Sequence, residues 1–146
     1  MHTILFVCTG NTCRSPMAEA IARSILDDSE VFVASAGVAA MEGIQTSQET
    51  IRALENLGIE FEGRSTPLSA EMIRKADLVL CMTRGHRDAA RQMVLDEPGM
   101  EERIRLLDPE ADIPDPIGQG QASYDQLAKH LKKVIPDRVA TLCSRD

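Results

Sequence analysis

The chain has 146 residues, 43% of them apolar and 27% charged, which suits one ordinary globular domain spanning residues 1–146. Sixteen Lys and Arg against 23 Asp and Glu leave a net charge of −7, which disfavours nucleic acid and anionic membranes as partners. Nothing apolar is long enough to span a bilayer, Met1–Val7 lacks the length and basic region of a secretory signal, and four cysteines (Cys8, Cys13, Cys81, Cys143) are not a disulfide framework, so reduced thiols in a cytoplasmic protein are expected.

Taken in order, the elements alternate. Thr3–Val7 is a short apolar run suited to a buried strand. From Pro16 to Leu26 the period becomes helical, with Ala18, Ile21, Ala22 and Ile25 on one face. Val31–Ala36 reads as a second strand. The next helix carries Ile51, Leu54 and Leu57, stops at Gly58, and has Thr46 and Glu49 spaced as a capping box. A third helix starts at Ser69, with Leu68 and Ile73 placed as a hydrophobic staple. Leu78–Met82 is a third strand, Arg84–Leu95 a helix and Ile104–Leu107 a fourth strand. Asp108–Gly120 is a Pro- and Gly-rich loop. The last helix shows Leu127, Leu131 and Val134 at helical spacing, and Pro136 is expected to kink or break it. Strands alternating with helix-length crossovers predict an α/β fold, a parallel sheet covered by helices on both faces. Ligands bind such sheets at the carboxyl ends of the strands, and Cys8 opens that edge.

The informative string is Val7-Cys8-Thr9-Gly10-Asn11-Thr12-Cys13-Arg14-Ser15-Pro16. Five residues between Cys8 and Arg14 allow the chain to fold back into a cradle of inward-pointing N–H groups. Gly10 and Asn11 tolerate left-handed backbone there. Ser15 is suited to cap the helix that follows and Pro16 to its first position, so the cradle would sit on a helix N-terminus, where an anion is favoured. The same setting favours a thiolate at Cys8. Arg14 offers a planar fork of donors to phosphate oxygens, and the Ser15 hydroxyl can donate to the thiolate while accepting a helix N–H. An isolated cysteine at a strand end is most often a structural thiol. Cys, a Gly-Asn turn, Arg, Ser and Pro in this register are together what a nucleophilic anion site needs. Phosphate-binding residues are therefore expected in Thr9, Gly10, Asn11, Thr12, Cys13, Arg14 and Ser15.

With Ser35-Ala36-Gly37, Ala76-Asp77-Leu78-Val79-Leu80 and an Asp-Pro pair before the last helix, this string resembles the low-molecular-weight protein tyrosine phosphatase family along nearly the whole chain. The resemblance implies a four-stranded parallel sheet with the phosphate loop after the first strand. It also implies hydrolysis of phosphorylated protein side chains through a phosphocysteine, without metal or other cofactor. It implies further that Asn11 holds the loop with help from Ser35.

A leaving group on phosphorus needs a proton donor. Asp115-Pro116 is the candidate, on the family pattern of Asp-Pro just before the last helix; Asp108-Pro109 repeats the dipeptide and Asp112 is a third carboxylate nearby. A solvated loop acid is the bland alternative for each. Tyrosine-directed members carry aromatics after the Asp-Pro pair, where this chain has Ile117 and Gly118. Thr12 occupies a loop position where those members commonly have Ile and the bacterial protein arginine phosphatases have Thr. A hydroxyl there can pair with a phosphoguanidinium N–H. Phosphoarginine is therefore favoured over phosphotyrosine, against the reading of Thr12 as a neutral variant.

Two other activities stay open: arsenate reduction and a non-catalytic phosphate-binding or phospho-carrier role. Cys81 could serve an arsenate relay, but Asp88 stands where that relay needs its third cysteine. Cys13 could form a reversible disulfide with Cys8 or simply fill space. Cys143 is expected to be inert. His2, His86 and His130 lack ligand spacing and read as surface groups rather than a metal site. Arg84, Arg87 and Arg91 form either a solvated helix face or a docking patch for phosphopeptides.

Overall fold

The predicted strands line up as one sheet in the computed structural model, which describes residues 2–26 and 29–143, with side chains through residue 140. Strands β1 (His2–Cys8), β2 (Val31–Gly37), β3 (Leu78–Cys81) and β4 (Ile104–Leu106) are all parallel, in the order β2-β1-β3-β4. The chain moves from β1 to one side and then returns to the other. The order therefore reverses between β1 and β3, where a crevice opens at the carboxyl ends. Cys8 pairs in register with Gly37 and Val7 with Cys81, so the ends of three strands meet there.

Helices α1 (Arg14–Ile25), α2 (Gln48–Glu55) and α5 (Gln121–Cys143) pack together on one face; α3 (Ala70–Lys75) and α4 (Arg84–Met93) cover the other. Alternation along β1 divides its side chains between two cores. Ile4, Phe6 and Cys8 join Met17, Leu54, Tyr124 and Leu131; Leu5 and Val7 join Ile73, Val79, Cys81 and Ala90. Leu68 and Ile73 meet in this second core as the staple predicts, and Ser69 caps α3 by accepting from Met72 N. No helix among the described residues is long and apolar enough to cross a membrane.

Three local expectations need correction. Thr46 and Glu49 do not cap α2: Thr46 N–H bonds to Gly63 O, and the cap is Ser47, which accepts from Thr50 N. Pro136 does not break α5. Leu131, Ile135 and Val139 on its two sides are all buried in the same core, and that burial holds the turn despite the missing N–H. Helix α1 starts at Arg14, so Ser15 and Pro16 lie within its first turn, and Cys13 stands at the cap position without a side-chain bond to the helix N–H groups. The released Ser15 hydroxyl has another use.

Candidate active site

The loop from Cys8 to Ser15 is held from behind by side chains that are almost fully buried. Asn11 has φ of 57° and supplies the left-handed turn, whereas Gly10 keeps an ordinary φ. The Asn11 amide donates to Ser15 Oγ at 2.8 Å and to Ser35 Oγ at 2.9 Å, while its Oδ1 accepts from Thr66 N at 2.8 Å. Thus Ser15 Oγ accepts from Asn11 rather than from a helix N–H, and of the two acceptors within reach of its proton Cys8 Sγ at 2.8 Å is nearer than Ala36 O at 3.4 Å. Asn11 N–H also lies 3.3 Å from that sulfur. The chain of contacts ends on Glu19: Ser35 Oγ donates to Glu19 Oε1 at 2.5 Å and Arg23 pairs with Oε2 at 2.6 Å. Burial pushes the Glu19 carboxyl up, against the pull of Ser35 and Arg23.

Gly37 explains why the Ser-Ala-Gly stretch belongs to the site. A Cβ there would collide with Thr9 O and stand 2.9 Å from Asn11 N, so only glycine lets β2 approach the loop this closely. Among the described residues, the N–H groups of Gly10, Thr12 and Cys13 have no protein acceptor. Together with the start of α1 they form donors suited to an oxyanion.

Arg14 is 6% exposed and closes the cradle. Its Nη1 donates to Ile113 O at 2.9 Å and its Nη2 to Thr9 Oγ1 at 3.4 Å, with Asp115 Oδ2 3.7 Å from Nη2. Ile113 N in turn bonds to Met82 O at 2.8 Å, fastening the loop that carries Asp115 to the end of β3. The three loop carboxylates differ in their partners. Asp108 lies 3.1 Å from His130 Nε2, and Asp112 accepts from Arg84 N at the start of α4. Asp115 accepts from Ile117 N at 3.1 Å and alone reaches Arg14. Its side chain is 47% exposed, against 16% for Asp108.

His86 is the residue that spacing concealed. It is buried, not a surface group. Its Nδ1 accepts from Thr83 N at 3.2 Å in a capping box at the start of α4, and its Nε2 lies 2.7 Å from Thr9 Oγ1. The first contact needs the lone pair on Nδ1, so Nε2 carries the proton and donates to Thr9. Burial, and then the charge of Arg14, lower the His86 pKa to about 4, so the ring is neutral near pH 7. Thr9 Oγ1 thereby accepts from both His86 and Arg14, and holds the Nη2 end of the guanidinium while Ile113 O holds Nη1. The Thr83-x-x-His86 spacing at the start of a helix is a sequence signal for the capping box, not for the contact with Thr9. Glu19 carries only a weaker one, its i,i+4 relation to Arg23.

Thr12 is held through its main chain, its O accepting from Ser47 N at 2.9 Å. Among the described residues, its hydroxyl has one polar contact, with Cys13 Sγ at 3.7 Å. Cys13 Sγ is 3.5 Å from Ser47 Oγ and 3.6 Å from the buried Tyr124 hydroxyl. Cys8, Cys13 and Cys81 are free thiols. Cys81 faces the second core, away from Cys8, and burial pushes its thiol up to about 12. Cys143 ends α5, its side chain outside the described residues. The aromatics do not form a wall beside Asp115: Phe6 and Tyr124 are buried, Phe61 packs on the first core, and Phe32 lies near the start of β2. Ile117, 60% exposed, follows the Asp-Pro pair. Among the described residues, no group of three His, Cys, Asp or Glu side chains could hold a metal ion.

The sequence profile for low molecular weight phosphotyrosine protein phosphatase matches residues 3–145. The chain belongs to that family. It is a protein phosphatase with the expected fold. A protein-arginine-phosphatase of Geobacillus stearothermophilus is 39% identical over 148 residues, covering 95% of this chain and 94% of that one. The low molecular weight protein-tyrosine-phosphatase PtpB of Staphylococcus epidermidis is 32% identical, covering 84% and 86%. A solved structure of the arginine phosphatase YwlE, a cysteine-to-serine mutant with a phosphorylated active site serine, matches with a TM-score of 0.88 at 33% identity, covering 96% of this chain and 95% of that one.

Proposed function

We propose that this chain is a cytoplasmic protein arginine phosphatase, with Cys8 as nucleophile, Arg14 and the loop N–H groups as oxyanion donors, and Asp115 as acid and base. The Cys8 thiolate attacks phosphorus in line, forming the S–P bond as the P–N bond to the guanidino group breaks. The donors of Gly10, Thr12 and Cys13 and the Arg14 fork stabilise the three equatorial oxygens. Asp115 gives its proton to the departing nitrogen. It then takes one from the water that cleaves the phosphocysteine and releases phosphate. Ser15 steadies the sulfur as it leaves. His86 touches no reacting atom and positions Arg14 through Thr9, while Asn11 shapes the loop with its side chain and points its N–H at the Cys8 sulfur.

The substrate reading is carried by Thr12. Among the described residues its hydroxyl has only a 3.7 Å contact with sulfur, which leaves it able to pair with a guanidino N–H. The high identity to a protein-arginine-phosphatase supports the same reading. Phosphotyrosine is the second reading, favoured by the family and by relatives named as tyrosine phosphatases. The buried placement of Cys81 on the opposite face speaks against an arsenate relay. A phospho-carrier would hold a long-lived phosphocysteine; a carboxylate at Asp115, 3.7 Å from Arg14, supports hydrolysis instead.

The test is kcat/KM on two peptides that differ only in bearing phosphoarginine or phosphotyrosine, with Cys8→Ser as the blank. A large preference for phosphoarginine supports the proposal. A preference for phosphotyrosine keeps the mechanism and discards the role of Thr12.

A further inference from the structure

Away from the phosphate loop, four guanidinium groups converge in a chain whose net charge is −7. Arg87 and Arg91, one turn apart on α4, Arg105 on β4 and Arg138 on α5 line a cavity of about 220 Å³ with Leu106 and Pro109. That volume lies below the roughly 300–1,000 Å³ usual for drug-sized ligands and suits a small ion or a single group of a larger one. The cavity sits along the edge strand β4, separated from β1 and Cys8 by β3.

These arginines are held mainly by neutral carbonyls. Arg91 Nη2 donates to Ile104 O at 2.8 Å, Arg138 Nη2 to Leu106 O at 2.8 Å and Arg105 Nε to Glu102 O at 2.7 Å. Among the described residues, none of the three has a carboxylate within 4.0 Å; Arg87 alone has one, the exposed Asp88. Asp108 lies on the Arg138 side of the cavity but is turned to His130. Among the described residues, the Nε atoms of Arg91 and Arg138 are buried and have no acceptor. Burial and the nearby Arg105 charge both disfavour the charged form of Arg138, with Asp108 opposing them. Holding strand carbonyls needs donors, not concentrated like charge, and such charge is unfavourable without a counterion. Fixed guanidinium forks from three elements around one small cavity are donors matched to a tetrahedral oxyanion.

We propose that this groove is a second anion site that takes a phosphoryl group, either as inorganic phosphate, the product of the reaction, or carried on a protein. The claim does not depend on which phosphorylated side chain the enzyme hydrolyses, because its first test needs no turnover. In ¹⁵N-arginine-labelled protein, inorganic phosphate is titrated against chloride at matched ionic strength. The expected result is a saturable shift of the Arg91, Arg105 and Arg138 Nε–Hε signals, separate from the shifts in the phosphate loop. Arg105→Gln and Arg138→Gln should each weaken the groove midpoint about tenfold and leave the phosphate-loop midpoint unchanged. Arg87→Gln, which breaks no carbonyl contact, should weaken it severalfold, and Arg105→Lys should restore part of what Arg105→Gln loses.

A second arm compares KM for peptides with one and two phosphoryl groups. An advantage of the doubly phosphorylated peptide that Arg105→Gln abolishes assigns the groove to protein-borne groups; no such advantage assigns it to free phosphate. Linear shifts that chloride reproduces, or a groove midpoint indifferent to Arg87→Gln and Arg105→Gln in folded protein, would overturn the proposal.

Discussion

The two halves of the proposed catalytic apparatus are built in opposite ways. The loop from Cys8 to Ser15 is locked from behind: Asn11, Arg14 and Ser15 are all buried, and the Asn11 amide has partners for both donors and its acceptor. The loop that carries Asp115 is tied down mainly at Ile113, by Met82 N-terminal to α4 and by Arg14, and leaves its carboxylate about half exposed. A nucleophile and its oxyanion donors must be preorganised, since their geometry is needed before charge develops. A proton donor that must also meet water has reason to sit on the exposed side. Arg14 joins the halves, because one guanidinium touches Thr9, Ile113 and Asp115.

The largest effect expected from breaking this division falls on the exposed half. Asp115→Asn should lower kcat by about 10²–10⁴-fold, the usual contribution of a positioned acid. Asp108→Asn, which breaks only the contact with His130, should change kcat less than about threefold. Parallel turnover measurements in the reverse order would move the acid to Asp108. Next comes the rear support. Gly37→Ala forces a methyl against Thr9 O and Asn11 N and should lower kcat/KM by about 10²-fold by shifting the cradle, with the acid loop untouched. Activity near the wild-type value would show that β2 can give way.

A smaller effect is expected at the junction. His86→Asn removes the donor to Thr9 and should lower kcat/KM about tenfold, with the loss recovered neither by more substrate nor by higher pH. The same ring predicts a pH effect on stability. Its folded pKa of about 4 lies below the ordinary 6.5, so the unfolded chain binds more protons between those values. His86 therefore costs the fold stability progressively as pH falls from about 6.5 to 4. Denaturant titrations should show wild type taking up as much as about one more proton on unfolding in that window than His86→Asn does. Equal slopes would place His86 outside the buried network. The smallest effect is at Thr12: Thr12→Ile should reduce the phosphoarginine-to-phosphotyrosine ratio of kcat/KM about fivefold, with little change in kcat for phosphotyrosine. An unchanged ratio would leave Thr12 a neutral loop residue.

The same contrast explains what the sequence made legible. The phosphate loop is a contiguous string whose chemistry lies in its order, and the strands around it announce themselves as buried apolar runs. The contacts that stabilise it come from far along the chain, and only the sheet brings them together. Ser35 and Gly37 were visible through a family resemblance, but His86, 77 residues from Thr9, reads as one of three scattered histidines until β3 delivers it. The three loop aspartates look alike in sequence because their partners, His130, Arg84 N and Arg14, are tertiary. Local capping rules erred at Ser15 and Thr46 for a related reason. Ser15 is drawn to Cys8 and Asn11, and Thr46 to Gly63, so tertiary contacts outrank the cap.

The most direct test is to find where the phosphoryl group goes. In the proposed mechanism Asp115 serves both steps, so the wild-type enzyme, with both intact, is quenched in denaturant at successive times within the first turnover of a phosphoarginine peptide. Mass mapping is then expected to place phosphate on Cys8, one per chain, appearing before free phosphate and disappearing as phosphate is released. Phosphate on any other residue, or turnover with Cys8 unmodified at every time, would contradict nucleophilic attack by Cys8.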